Sequence, residues 1–122
     1  MNHRIIHFEL PSEHPETTMS FFREVFGWTF QQFGDMPYWL VVTGDRQAPC
    51  IDGAIMQRMH PDQPLANTIH VDNLDEAIEQ IEVNGGTMVV PKTAIPGMGY
   101  YAHFKDPLGT IHGLHQLDSE AK

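Results

Sequence analysis

The chain has 122 residues but only one cysteine, only seven lysines and arginines together, and no long apolar run. Each shortage excludes something. Cys50 alone cannot close an internal disulfide, which fits a reducing compartment. Its expected place is packed at the start of a strand. Seven scattered basic residues against sixteen acidic ones give a formal charge of −9. Neither nucleic acid nor an anionic membrane is therefore an expected partner, because neutralising phosphate needs clustered Lys and Arg. No apolar stretch approaches the roughly 18 residues of a membrane-spanning helix. Met1-Asn2-His3-Arg4-Ile5-Ile6 runs directly into a strand pattern, without the apolar segment and small-residue cleavage site of a signal peptide, so a cytoplasmic location is expected. Also missing are a phosphate-cradling Gly-rich loop with Lys, a nucleophile elbow around serine, and paired cysteines at metal spacing. Their absence excludes nucleotide hydrolysis, serine-hydrolase chemistry and a zinc finger.

What the sequence does contain is an ordinary apolar fraction, enough for one domain over residues 1–122 with a real core. Arg4 to Leu10 alternates polar and apolar residues, as a half-buried strand does. Pro15 is placed to open a helix. Met19, Phe22 and Phe26 share one helical face against the sheet, and Gly27 stops the helix. Trp28–Phe33, Tyr38–Val42 and Cys50–Gln57 read as three strands. A polar, Pro-rich stretch from Met59 to Pro64 forms a linker.

Then the order repeats. Asn67–Val71 is a strand. Asn73 with Glu76 forms a capping box before a stripe of Leu74, Ala77, Ile78 and Ile81. Asn84-Gly85-Gly86 ends that helix, and Thr87–Val90 follows as a strand. The stretch from Pro91 to Gly99 reads as a loop, within which Thr93–Gly99, with its apolar tip, is either a lid over the pocket mouth or a plain hairpin connection. Tyr100 to His115 is strand, turn, strand around Asp106-Pro107-Leu108-Gly109, with Pro107 presetting φ and Gly109 accepting positive φ. The fold class is thus α+β: two β-α-β-β-β modules, about residues 3–58 and 66–117, with helices on one face of a concave mixed sheet and a small-molecule pocket on the other.

Several stretches carry a resemblance: His7-Phe8-Glu9-Leu10-Pro11, Phe21-Phe22-Arg23-Glu24-Val25-Phe26-Gly27-Trp28, Val71-Asp72-Asn73-Leu74-Asp75-Glu76-Ala77, Asn84-Gly85-Gly86 and Asp106-Pro107-Leu108-Gly109. With the repeated module, they make nearly the whole chain resemble the vicinal oxygen chelate superfamily: glyoxalase I, bleomycin resistance proteins and extradiol dioxygenases. The resemblance is to its glyoxalase-related branch. It implies a fold more firmly than a reaction, because that superfamily supports many chemistries and also proteins that only bind. It also implies a homodimer.

Metal-dependent members place one ligand on the first and one on the last strand of each module. Carried onto this chain, those positions are His7, Met56 or Gln57, Ala66 and Gly113. Only His7 is a normal ligand; Met is too soft and Gln too weak for metals that chelate vicinal oxygens. No cofactor is therefore expected at those positions. Strand alternation supplies an alternative, since residues two apart share a face. His7, Glu9, His70, Tyr101 and His115 are expected to line the cavity, with His103 joining them. His7, His70 and His115 could then hold a displaced Zn, Ni or Fe ion. Glu9 is placed to orient His7 or to act as a general base with it. His112 is expected to face the helices or a neighbouring chain, and one of Tyr100 and Tyr101 the cavity. The leading expectation is a cytoplasmic protein that binds a small organic ligand, or a metal-independent enzyme acting on one. The alternatives are a metal-dependent lyase, isomerase or dioxygenase, and a protein-interaction module.

Overall fold

The computed structural model describes residues 3–45 and 47–122. Its elements are β1 (Ile5–Ser12), α1 (Pro15–Phe26), β2 (Thr29–Gln32), β3 (Tyr38–Val42), β4 (Gly53–Gln57), β5 (Ala66–His70), α2 (Leu74–Val83), β6 (Thr87–Ile95), β7 (Gly99–Lys105) and β8 (Ile111–Leu117). The α+β class and the doubled β-α-β-β-β order expected from the sequence are both present. The chain forms two compact units: Ile6–Ala66, and Asn67–Lys122 together with the residues up to Ile5.

In the Ile6–Ala66 unit the strand order is β2-β3-β4-β1, with β1 parallel to β4 and the other pairs antiparallel. Pro15 sits in the first turn of α1, where its missing N–H costs nothing. The helix ends on Gly27 at φ 72°, a left-handed position that glycine adopts without strain, with its N–H bonded to the Arg23 carbonyl. Met19, Val41 and Ile55 form the buried centre of this unit, with Phe8, Leu10, Trp28, Phe30 and Trp39 packed around it. Gly53 pairs with Phe8, whose ring and carbonyl lie where a Cβ would stand, so a larger residue would push β1 and β4 apart. Two expectations fail here. Cys50 lies in the exposed loop before β4, which starts only at Gly53. Phe26 is not core: it is 61% exposed and stacks on Phe22, which in turn stacks on Trp28. Three aromatic rings in sequence can cover one another without all reaching the sheet.

The Asn67–Lys122 unit repeats the plan. Its order is β5-β8-β7-β6, with β5 parallel to β8 and the rest antiparallel. Even the chain length between the parallel partners is the same, 45 residues from Phe8 to Gly53 and from Thr68 to Gly113. Asn73 caps α2 by accepting from the Glu76 N–H. Leu74, fully buried, joins Val71, Ala102 and Leu114 in the core, and Ala77, Ile78 and Ile81 pack against it. The expected loop over Pro91–Gly99 is instead mostly strand. Strand β6 continues to Ile95 with two register shifts, which absorb Pro91 in a strand that pairs only with β7. The turn is confined to Pro96-Gly97-Met98, so no lid is formed from Thr93. At the other hairpin, Asp106 accepts from the Leu108 and Thr110 N–H groups and Gly109 has φ 93°, as expected for that turn.

Candidate functional site

Side-chain alternation sorts each strand of the Ile6–Ala66 unit into two faces. Phe8, Leu10, Trp39, Val41 and Ile55 belong to the core under α1. His7 and Glu9 therefore belong to the opposite face, with Ala54 and Met56 of β4 and Tyr38 and Leu40 of β3, their register partners across the sheet. This register settles one choice left open in the sequence: Met56, not Gln57, shares the face of His7.

On this face a hydrogen-bonded chain links polar groups of two strands, β1 and β3, across β4. The Tyr38 phenol donates to Glu9 Oε2 at 2.8 Å, and His7 Nε2 lies 2.9 Å from the same phenolic oxygen. Tyr38 belongs to the row of Met56 and Pro11, so its side chain reaches diagonally past Ala54 to meet Glu9 and His7. Ala54 is fully buried and presents only a methyl group on that path. Since the phenol's proton goes to Glu9, its oxygen can only accept from His7. That fixes the tautomer: Nε2 carries the proton and Nδ1 keeps a lone pair. Burial lowers the pKa of His7 below the ordinary imidazole value, partly offset by the carboxylates of Glu9 and Asp52. Burial, then the charge of Glu9 and the bond to it, raise the Tyr38 phenol far above its usual range. Tyr38 thus stays protonated and His7 stays neutral near pH 7, the state a base must be in. Sequence reasoning placed His7 and Glu9 on one face but missed Tyr38 as their link. Its aromatic character drew attention, while the signal that mattered was its alternation with Trp39 on a strand two places from β1.

The Asn67–Lys122 unit gathers the other expected residues on one face. Ile69, Leu114, Ala102, Tyr100 and Phe104 pack in the core under α2. His70, His115 and Tyr101 form one row across β5, β8 and β7, and Thr68, Gly113 and His103 form the next. The His70 and His115 rings are 6.4 Å apart and those of Tyr101 and His103 5.9 Å apart. Tyr101 is thus the tyrosine on the histidine face, and Tyr100 the one in the core. His112 points to the core side as expected, stacked on Phe104 and bonded to Asp106 at 3.0 Å.

One hollow, of about 450 Å³, opens elsewhere, beside the start of α1. Leu10, Pro11, Ser12, Thr18, Phe22 and Arg58 line it, and none of His7, Glu9, Tyr38, His70, Tyr101, His103 and His115 takes part. The Arg58 guanidinium there already donates to the carbonyls of Pro11 and Gln63.

Together these features define a class: a doubled β-α-β-β-β protein with His7, His70, His103 and His115 on the sheet faces turned away from the helices. A family model described as the Glyoxalase/Bleomycin resistance protein/Dioxygenase superfamily matches residues 4–111, and the chain belongs to that superfamily. No curated protein matches it significantly. Among solved structures it is similar to a member of the same superfamily from Vibrio splendidus 12B01, with 12% identity, a TM-score of 0.65, and 92% of this chain and 97% of that one covered. A methylmalonyl-CoA epimerase variant from Streptomyces coelicolor, in complex with 2-nitronate-propionyl-CoA, is similar over 100% and 99% of the two chains at 11% identity and TM-score 0.65. A hypothetical protein from Bacillus halodurans C-125 is similar over 100% and 99%, at 11% identity and TM-score 0.67. At such identities these likenesses concern the fold alone.

The superfamily often uses a metal, so the donor set must be tested. His7 shares its face with Met56, and its Nε2 is engaged by Tyr38. Ala66 and Gly113 offer no side-chain donor. His70 and His115 sit wider than the roughly 5 Å between ring centres that two imidazoles on one tetrahedral zinc would show, given Zn–N distances near 2.0 Å. Among the described residues no three His, Cys, Asp or Glu side chains are grouped to hold a metal ion. The residues as arranged do not fit one. Among the described residues, too, no helix is long and apolar enough to cross a membrane.

Proposed function

We propose that this protein binds a small organic molecule on the His7 face and moves a proton at it without a metal. The observation that carries the reading is the chain Glu9–Tyr38–His7, with steps of 2.8 and 2.9 Å. A base needs a lone pair aimed away from its own support and a partner that stabilises the charge it acquires. His7 Nδ1 supplies the lone pair. When Nδ1 takes a proton, the imidazolium at Nε2 is held through the neutral phenol to the Glu9 carboxylate. On return, the same imidazolium gives the proton back. Leu40, exposed on this face above the buried Ala54 and Met56, supplies its apolar part. An epimerase among the structural neighbours supports the reading, because inverting a carbon centre requires removing and replacing a proton. The reading also includes a cytoplasmic homodimer, the state implied by the superfamily resemblance.

The test is hydrogen–deuterium exchange. A panel of carbonyl compounds and acyl thioesters is incubated with the protein in D₂O with a chelator present, and exchange at the carbon next to the carbonyl is followed by NMR. Exchange should survive the chelator, fall at least ~100-fold in His7→Gln, within the typical range of a lost acid–base group, and fall less in Tyr38→Phe. Exchange that the chelator abolishes, or that His7→Gln leaves intact, would overturn the proposal. Turnover lost to the chelator and restored by added metal would favour the metal-dependent alternative instead.

A further inference from the structure

We infer that the hollow beside the start of α1 is a second ligand site, one that takes a small monocarboxylate with a compact apolar body through Arg58. Leu10 and Ser12, which line it, alternate with His7 and Glu9 along β1. The site therefore lies on the helix side of the sheet and rests on different residues from the proton chain.

The first observation is Arg58. It stands half-buried on the wall of a hollow of about 450 Å³, a size that holds small organic ligands. Nη1 donates to the Gln63 carbonyl and Nη2 to that of Pro11, and these two bonds pin the guanidinium. They do not neutralise it: among the described residues no carboxylate forms an ion pair with Arg58. Nε is buried and out of a ligand's reach, so contact falls to the second proton that Nη1 and Nη2 each keep. A fixed planar cation with parallel donors is what a carboxylate fits.

The second observation is a spare hydroxyl. Ser12 Oγ and Thr18 Oγ1 lie 2.7 Å apart, and Ser12 Oγ also accepts from the His14 N–H. The two hydroxyls carry two protons but share one bond. Whichever of them donates, one O–H is left without an acceptor among the described residues. Together with Arg58, the polar side chains of this wall therefore offer donors in excess. A ligand that supplies only acceptors suits them, and an ionised carboxylate is such a group.

The third observation is the rest of the wall. Leu10, Pro11 and Phe22 are apolar, and the Phe22 ring is backed by Trp28, nearly parallel to it at 4.5 Å. Such a wall holds hydrocarbon, which inorganic phosphate or sulfate lacks. Glu13 borders the same hollow, exposed and not paired with Arg58, in a chain of net charge −9. A second negative charge on the ligand would meet that carboxylate, so the fit is to one charge and not two.

The probes are benzoate, benzamide and acetate. Benzamide keeps the shape of benzoate without its charge, and acetate keeps the charge without the body. Binding to the intact protein is followed by ¹H–¹⁵N spectra and by intermolecular NOEs. Benzoate should bind about tenfold more tightly than either comparator, the gain of joining a charge-assisted contact to an apolar one. It should move the Thr18 amide and Arg58 side-chain resonances and show NOEs to Leu10 and Phe22. Arg58→Met, which keeps an unbranched stem, should lose the preference for benzoate over benzamide. Should that variant fail to fold, the wild-type ranking and the NOEs still decide the matter. Equal binding of either comparator, no binding at millimolar probe, a preference that survives in Arg58→Met, or NOEs confined to the face of His7 would each overturn the inference. His7→Gln should leave benzoate binding unchanged, so the two sites can fail separately.

Discussion

Replacing Tyr38 by Phe removes one oxygen atom, and the structure says what that atom does. It accepts from His7 Nε2 at 2.9 Å and donates to Glu9 Oε2 at 2.8 Å. A hydrogen bond to a charged group contributes about 1.5–3 kcal/mol and one between neutral groups about 0.5–1.5. The ring of Tyr38 remains in Tyr38→Phe, so its packing edge-on to Phe33 is kept. The hydroxyl's own desolvation is relieved, and because the residue is only half-buried, water can reach part of the gap. The expected net loss is about 1–2 kcal/mol, or about 3–10 °C in melting temperature for a chain of this size. The sharper readout is His7. In the wild type, its ¹⁵N spectrum should show a single neutral tautomer with the proton on Nε2. In Tyr38→Phe the phenolic acceptor is gone and the spectrum should show a mixture. A wild-type spectrum with the proton on Nδ1 would reverse the direction of the whole chain. A variant with an unchanged tautomer would show that something other than Tyr38 holds it.

Three further outcomes follow. Because burial depresses the pKa of His7, the folded state binds fewer protons there than the unfolded chain. Its contribution to stability is therefore present above the ordinary value of about 6.5 and is lost as pH falls through the depressed folded value. His7→Gln should flatten the stability profile over that window, as measured by urea unfolding at pH steps from 8 to 5. Asp106 behaves as a paired carboxylate: His112 first, then the Thr110 and Leu108 N–H groups, hold its pKa down, so its contribution is present above the usual Asp value and is lost as pH falls through the lower folded one. Asp106→Asn should remove that acid-side loss and increase amide exchange at Leu108 and Thr110. Leu74→Ala empties a fully buried position in the α2 core and should cost about 2–5 kcal/mol in chemical denaturation; a cost under about 1 kcal/mol would mean the core collapses into the gap.

The fold was legible because its signals are local and repeated. Pro15, Gly27, Asn73 and the Asp106–Gly109 turn each mark a boundary through backbone chemistry that tertiary packing did not override. The faces of His7, His70, Tyr101, His103 and His115 were legible for the same reason, since the strands carrying them alternate regularly. What stayed hidden depends on register between distant strands. The link from Tyr38 to His7 and Glu9 spans about thirty residues and needs Ala54 to be small. The stretch after Val90 misled because Pro and Gly usually end a strand, whereas here β6 pairs with β7 alone and two register shifts carry it past Pro91. Phe26 had core periodicity but spends it on Phe22, a contact between neighbouring turns that periodicity cannot tell from burial.

The equal spacing of the two parallel pairs has a consequence for how the chain is made. In each unit the first strand is hydrogen-bonded to the last one synthesised, 45 residues later. At about 5–20 residues per second of translation, β1 waits roughly 2–9 s after its own synthesis before Gly53 exists to pair with it. During that wait the Phe8 and Leu10 side chains have no Ile55 to bury them. The helix α1 and the β2–β3 hairpin are complete by then and supply the nearest cover. The second unit repeats the wait from Thr68 to Gly113, this time with Ile69 uncovered until Leu114 is made. The interval in which this protein is most exposed to misassembly is thus written into its topology twice, at the same length, and substitutions that slow formation of α1 or α2 should reduce soluble yield more than their effect on the finished fold would suggest.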